Sequence, residues 1–167
     1  MLHLVPMGRA AAEEVLTWRY PPPYDLYNLS EDPGLLLAIF TDPTYGYFEL
    51  RAGAALVGFC CFGAESQIQG GDYTAPALDV GIAIHPDQTG RGYGREYMRA
   101  VLDFGCQHFH PPAFRLTVAT FNLRARRLYI ALGFRSVQRF TSPISGQEYV
   151  VMLGPVTPPM PCPAAPD

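Results

Sequence analysis

Residues 82–94 read IAIHPDQTGRGYG, and this stretch decides the fold. It continues the apolar run 77–84 (ALDVGIAI), which has the character of a buried central strand. His85-Pro86 ends that strand, because the residue before a proline is restricted and the proline cannot donate to a ladder. Gly90, Gly92 and Gly94 then form a turn whose backbone can approach a ligand closely. From Gly92 to Phe109 the apolar positions 94, 97, 98, 101, 102, 105 and 109 follow helical spacing. A strand, a glycine turn and a helix start in succession leave the first helical N–H groups unpaired, with the helix dipole favouring an anion. Arg91 and Arg95 add positive charge, so the expected occupant is a pyrophosphate. A dinucleotide fingerprint does not fit, because Arg95, Glu96 and Tyr97 follow Gly92-Tyr93-Gly94 and the third glycine is missing. A P-loop does not fit either, for want of Gly-Lys-Ser/Thr. The remaining alternative is a structural turn without a ligand.

Working outward, residues 2–7 read as a first strand and 10–19 as a helix stopped by Pro21, Pro22 and Pro23. An irregular aromatic segment follows, and 34–41 reads equally as a short helix or a loop. Residues 46–51 and 54–63 are two strands around a turn at Ala52-Gly53, and 64–76 is a loop. Beyond the central helix come a strand at 115–119 and a helix at 123–132, capped by Asn122 and ended by Gly133. A last antiparallel pair spans 135–141 and 147–153. This order predicts an α/β fold with a mixed sheet and helices on both faces. One domain is expected over 1–153. The tail 154–167, with six prolines in fourteen residues, is expected to be an unstructured extension.

The 167-residue chain is 49% hydrophobic and 16% charged, enough apolar content for a core and too much for a disordered chain. Its longest apolar run uninterrupted by glycine, Leu35–Phe40, is six residues, whereas a membrane-spanning helix needs about 20. The first residues, MLHLVPMGRAAAEEV, carry no basic region followed by an apolar stretch, so the expected location is cytoplasmic. Four cysteines without a CxxC pair are expected to be reduced thiols. Adjacent Cys60 and Cys61 point to opposite faces of a strand. Cys106, His108 and His110 stand two apart, a spacing that one helix face cannot gather, so no metal site is expected.

All twelve basic residues are arginine, which excludes a lysine Schiff base and lysine-bound pyridoxal phosphate. Nine of them lie in 91–139 against two acids, Glu96 and Asp103, a net of +7. Residues 1–90 have a net of −8. A basic half and an acidic half suggest two ligand surfaces of opposite preference, although arginines coating two helices would leave the same pattern. The total of −3, with no recognition motif, argues against nucleic acid as a partner.

Gln88-Thr89-Gly90-Arg91-Gly92-Tyr93-Gly94 resembles the Q/R-x-x-G-x-G/A signature of the GNAT superfamily of N-acetyltransferases. Downstream, Asn122-Leu123-Arg124-Ala125-Arg126-Arg127-Leu128-Tyr129 and Leu132-Gly133-Phe134 are similar to the family's N-x-x-A-x-x-L-Y-x-x-x-G-F pattern. Both halves occur in the right order, over roughly 78–136. The resemblance implies a mostly antiparallel twisted sheet of six to seven strands and an acetyl-CoA site. In such proteins Ile82, Ala83 and Ile84 would pair with the pantetheine arm like an added strand. Residues Gln88 to Arg95 would wrap the pyrophosphate, and Asn122 would reach the cofactor or serve as a plain helix cap. Tyr129 looks like the family's tyrosine near the acetyl sulfur. Its phenol, with an ordinary pKa of about 10, could protonate the departing thiolate or be a core aromatic. Where family members often carry a glutamate on the central strand as general base, this chain has Leu78, which cannot accept a proton; the adjacent Asp79 is the candidate catalytic base, although it should face the other side unless a bulge re-aims it.

The implied activity is that of an acyltransferase moving an acetyl group from acetyl-CoA to a primary amine, small-molecule amines being the first expectation. A ribosomal-protein-type N-terminal acceptor and a non-catalytic acyl-CoA-binding module are the alternatives. Tyr20, Tyr24 and Tyr27 belong to an aromatic group that could wall an acceptor pocket or form core. The apolar strand 147–153 offers an edge on which a homodimer could pair.

Overall fold

The computed structural model describes residues 1–156 of the chain. Fifteen described elements include seven strands and four α-helices. Strand β1 (Leu2–Pro6) leads into α1 (Arg9–Leu16), whose first turn is held by the Gly8 N–H donating to Glu49 Oε1 at 2.8 Å. Helix α1 ends well before the prolines expected to stop it. Thr17 Oγ1 donates to the Glu14 carbonyl and the Arg19 guanidinium to the Leu16 carbonyl, so the terminal carbonyls are already satisfied. The ambiguous 34–41 segment is helical: α2 (Pro33–Thr41) starts with proline in its first turn, and Asp32 caps it by accepting from Leu35 N–H at 2.8 Å.

Strands β2 (Tyr47–Ala52) and β3 (Ala55–Phe62) form a hairpin. Its turn is Gly53-Ala54, one residue later than expected, with Gly53 at φ +60°. Strand β4 (Leu78–Ile84) is followed by α3 (Gly94–Phe109), β5 (Phe114–Ala119), α4 (Leu123–Ala131), β6 (Arg135–Thr141) and β7 (Glu148–Gly154). They form one sheet in the order β1-β2-β3-β4-β5-β7-β6. Every pairing is antiparallel except β4 with β5.

Each face of the sheet buries its own apolar layer. Helices α3 and α4 bring Met98, Val101, Leu102, Tyr129 and Leu132 onto Cys60, Phe62, Val80, Phe114 and Leu116. Helices α1 and α2 bring Ala12, Val15 and Phe40 against Trp18, Leu56, Tyr47 and Phe59. Cys60 sits in the first layer, while Cys61 turns to the opposite side and donates its thiol to the Tyr45 carbonyl, as strand alternation requires. The ordered body reaches past the expected boundary at 153. Gly154 pairs with Phe114, and Val156 packs on the first core while its carbonyl accepts from the Cys106 thiol at 2.9 Å. The rest of the expected tail, 157–167, lies outside the described residues.

Candidate active site

The parallel pairing of β4 with β5 covers two residues, Leu78↔Phe114 and Asp79↔Arg115, and then stops. What holds the closed end is a buried ion pair. Arg115 donates from Nε and Nη2 to the two Asp79 oxygens, each at 2.7 Å, and both residues are 5% exposed or less. Gln67 Nε2 donates to the same carboxylate at 2.8 Å, and Arg115 Nη1 donates to the Ala75 carbonyl at 2.7 Å. The Asp79 hydrogen bonds and charge raise the pKa of Arg115. Asp79 therefore does face away from its neighbour Leu78, as alternation predicts, and it is not among the described residues lining the cleft beyond.

Past this clamp the strands diverge around a cavity of about 480 Å³. The β3–β4 ladder decides which backbone groups β4 presents to it. Gly63 N–H donates to the Asp79 carbonyl, and His85 N–H donates to the Val57 carbonyl. Antiparallel alternation then points the N–H and C=O of Gly81 and Ala83 at β3, and those of Ile82 and Ile84 into the cleft. Of the three residues expected to pair with an arm, Ala83 thus lines the cleft but has its backbone groups engaged by Phe59 across the ladder.

Gln88, Thr89, Gly90, Gly92, Gly94 and Arg95 line one end of the cavity. Gly92 has φ +87°, a left-handed conformation, and a Cβ there would meet nothing within 4 Å, so its surroundings are open to a ligand. Gly94 is glycine for a different reason: a Cβ would come within 3.2 Å of Leu128 Cδ2, where α3 passes close to α4. The α3 N-terminus has no side-chain cap, so its first N–H groups remain available to an anion. Arg91 and Tyr93 are not among the lining residues; Tyr93 instead stacks on Tyr97 at 5.6 Å.

Asn122 takes the capping role and lines the cavity. Its Oδ1 accepts from Ala125 N–H at 3.1 Å, capping α4, and its Nδ2 donates to Tyr27 Oη at 3.1 Å within the cavity wall. Tyr129 lines the cavity from α4 and is 7% exposed. Burial raises its pKa, so the phenol keeps its proton. Its hydroxyl makes no hydrogen bond with the described residues.

Sequence reasoning left undecided what the aromatic 20–27 segment does, and here it forms part of the wall. Tyr20 Oη donates to the Ile84 carbonyl at 2.7 Å, and Arg124 lies 4.5 Å from the centre of the Tyr24 ring. Burial pushes the Tyr20 pKa up to about 12. Its aromatic richness was visible, but nothing in its spacing indicated that Tyr20 reaches 64 residues ahead to the β4 edge. Thr117 and Arg124 also line the cavity and were missed as site residues. Among the described residues, no group of three His, Cys, Asp or Glu is placed to hold a metal, and no helix is long and apolar enough to cross a membrane.

Comparison with known structures gives the fold independently. A spermidine N-acetyltransferase SpeG chimera from Vibrio cholerae and hSSAT matches with a TM-score of 0.72 and 20% identity, over 93% of this chain and 95% of that one. The structure of yncA from Salmonella typhimurium, which carries its cofactor acetyl-CoA, matches at 0.65 and 13% identity over 99% of each chain. The ribosomal-protein-S18-alanine N-acetyltransferase from Escherichia coli matches at 0.64 and 14% identity over the whole of both. No curated protein sequence matches. The family model described as "Acetyltransferase (GNAT) domain" matches residues 3–135. With that match over most of its length, the chain belongs to the GNAT acetyltransferase family.

Proposed function

We propose that this protein transfers an acetyl group from acetyl-CoA to a primary amine, a small-molecule amine first, within a single domain that occupies the described body. One observation carries the reading: the unpaired backbone edge of Ile82 and Ile84 opens into the same cavity as the Gln88–Arg95 loop and the uncapped start of α3. An extended amide-bearing arm can add to that edge as a strand does. Its diphosphate can then sit on the loop N–H groups beside Arg95. The residues present fit acetyl-CoA, which supplies the activated acetyl thioester.

In this reading the amine nitrogen bonds to the acetyl carbon as the carbon–sulfur bond breaks. Tyr129 gives its proton to the departing sulfur, and the extra proton on the new amide nitrogen returns through water to the Tyr129 oxygen. Tyr129 can take the donor role because its hydroxyl is uncommitted and an ordinary phenol is already protonated at neutral pH; burial raises its pKa and makes it a weaker acid. Asp79 is assigned no proton transfer, since its carboxylate already accepts from Arg115 and Gln67 at the closed end. Asn122 shapes the wall through Tyr27.

The likeness to spermidine acetyltransferases supports the small-molecule acceptor, and the likeness to the S18-alanine enzyme supports a protein N-terminus. The test is thiol release from acetyl-CoA against a panel of polyamines, arylalkylamines and alanine-ended peptides, with calorimetry of acetyl-CoA alone. Release with any amine supports transfer. Tight binding with no release throughout the panel would leave an acyl-CoA-binding module instead.

A further inference from the structure

Thr117 stands two residues beyond Arg115, the last paired residue of β5 toward β4, and it lines the cavity near the closed end. Its Oγ1 lies 2.9 Å from Tyr73 Oη, and either atom could be the donor. Tyr73 Oη has two further partners: the Ile68 N–H at 2.9 Å and the Ile68 carbonyl at 3.2 Å. A phenol offers one proton and accepts through its oxygen lone pairs. Only one arrangement makes all three contacts. Ile68 N–H and Thr117 O–H both donate to Tyr73 Oη, and Tyr73 O–H donates to the Ile68 carbonyl. The Thr117 hydroxyl proton is then committed away from the cavity, and its oxygen remains as an acceptor. The Tyr73 ring is itself held, with the Arg115 guanidinium 5.0 Å from its centre.

The other hydroxyls of the wall do not duplicate this. Tyr20 is engaged with Ile84, Tyr27 with Asn122, and Thr89 donates to the Pro86 carbonyl at the glycine-loop end, while Tyr24 carries Arg124 on its ring and Tyr129 is assigned to the sulfur. No carboxylate is among the described lining residues. An amine entering beside the acetyl carbon must present N–H groups to something, and its lone pair must be turned toward the carbon.

We propose that Thr117 is the residue that orients the acceptor amine: its Oγ1 accepts a hydrogen bond from the amine N–H, and Tyr73 is a positioning residue that fixes the hydroxyl by accepting its hydrogen bond. This rests on the acetyl-transfer reading. The amine keeps its remaining bonds, so the contact aligns the nitrogen without itself changing the reaction's proton balance.

The experiment compares wild type with Thr117→Val, Thr117→Ser and Tyr73→Phe, using acetyl-CoA with spermidine, tyramine and an alanine-ended peptide as acceptors. Thr117→Val keeps the β-branched shape and removes the acceptor. It is expected to lower kcat/KM for the amine by about tenfold, as for one lost hydrogen bond to a polar group. Acetyl-CoA affinity by calorimetry stays as in wild type. Thr117→Ser recovers most of the activity. Tyr73→Phe falls between, because the hydroxyl survives but turns freely, and it reads the same bond should Thr117→Val fail to fold. An active wild type with kcat/KM unchanged in both Thr117→Val and Tyr73→Phe overturns this assignment alone. A loss confined to acetyl-CoA affinity also overturns it, by moving Thr117 to the carrier's site. A wild type that releases no thiol with any of the three amines overturns the transfer reading and this proposal with it.

Discussion

Strand β4 has two ends that differ in what they pair with. At Leu78 and Asp79 it is laddered to β5 and locked by a buried bidentate ion pair. From Val80 to Ile84 it has only β3 for a partner, and its other edge faces a cavity of about 480 Å³ walled by tyrosines, glycines and arginines. The closed end gives the open one its shape. Two strands that ran parallel throughout would satisfy their own backbone groups and leave no edge for a ligand. The divergence leaves backbone groups unpaired in the free protein, and a protein tolerates that where water or a ligand can reach them. The lesson is that the binding feature is a missing piece of secondary structure, held in register by charge chemistry a few residues away.

The largest effect is expected from breaking the closed end. Asp79→Ala leaves Arg115 charged and buried without its carboxylate, at a cost of about 3–5 kcal/mol in unfolding free energy. Urea denaturation measures it. The double variant Asp79→Leu, Arg115→Leu should recover much of that loss, because removing both charges removes the desolvation penalty as well. An Asp79→Ala protein as stable as wild type would show that the clamp is not what holds the strands. At the open end the strongest change is Gly92→Val. It forces a branched side chain onto a left-handed backbone and into the space beside the loop N–H groups. Acetyl-CoA affinity should fall by roughly a hundredfold, and thermal stability should fall as well, because the left-handed conformation at residue 92 is already present in the free protein and costs a branched residue about 1–3 kcal/mol. Calorimetry that finds wild-type binding would detach the glycine turn from the carrier.

The open end was largely legible in the sequence, and the closed end was not. Glycines 90, 92 and 94 follow an apolar strand and precede a helical pattern, a local signal contained in a dozen residues. The cap of α4 was local too, Asn122 standing just before its helical pattern, whereas Asp32-Pro33, which starts α2, fell inside a segment read as irregular, and 34–40 stayed ambiguous because it is apolar on all sides. The Asp79–Arg115 pair joins residues 36 apart. It exists only because β4 and β5 run parallel in one register, which no spacing rule supplies. The same holds for Tyr20 on Ile84 and Tyr73 on Thr117. Each is a polar contact created by tertiary placement, so tyrosines that read equally as wall or core could not be divided from the sequence.

Two predictions of intermediate size use the tyrosines of the open end. Tyr129→Phe removes the uncommitted proton donor and should slow thiol release by tenfold or more, on the order of general-acid effects, with acetyl-CoA affinity kept. Unchanged turnover would reduce Tyr129 to a core aromatic. Burial raises the pKa of Tyr129 and takes that of Tyr20 to about 12. In the unfolded chain both ionise near pH 10. The stability tied to their neutral forms is therefore fully present below about pH 10 and is lost as pH rises through the folded-state values. The melting temperature should decline from about pH 10 to 12, and the decline should be shallower in Tyr20→Phe and Tyr129→Phe. An equally steep decline in both variants would place the alkaline sensitivity elsewhere.

The smallest expected effect bears most directly on the contrast between the two ends. Tyr20 Oη occupies the Ile84 carbonyl, one of the groups that β4 turns into the cleft. An extended arm that paired with the whole open edge would have to displace it. Tyr20→Phe frees that carbonyl and keeps the ring in the wall. If the arm takes the carbonyl, acetyl-CoA should bind a few-fold tighter, about the value of one neutral hydrogen bond no longer broken on binding, roughly 0.5–1.5 kcal/mol. Weaker binding would mean that Tyr20 stays on Ile84 in the complex and steadies the edge. In that case the arm meets only Ile82 and the Ile84 N–H, and the open end is one group shorter than the free strand suggests.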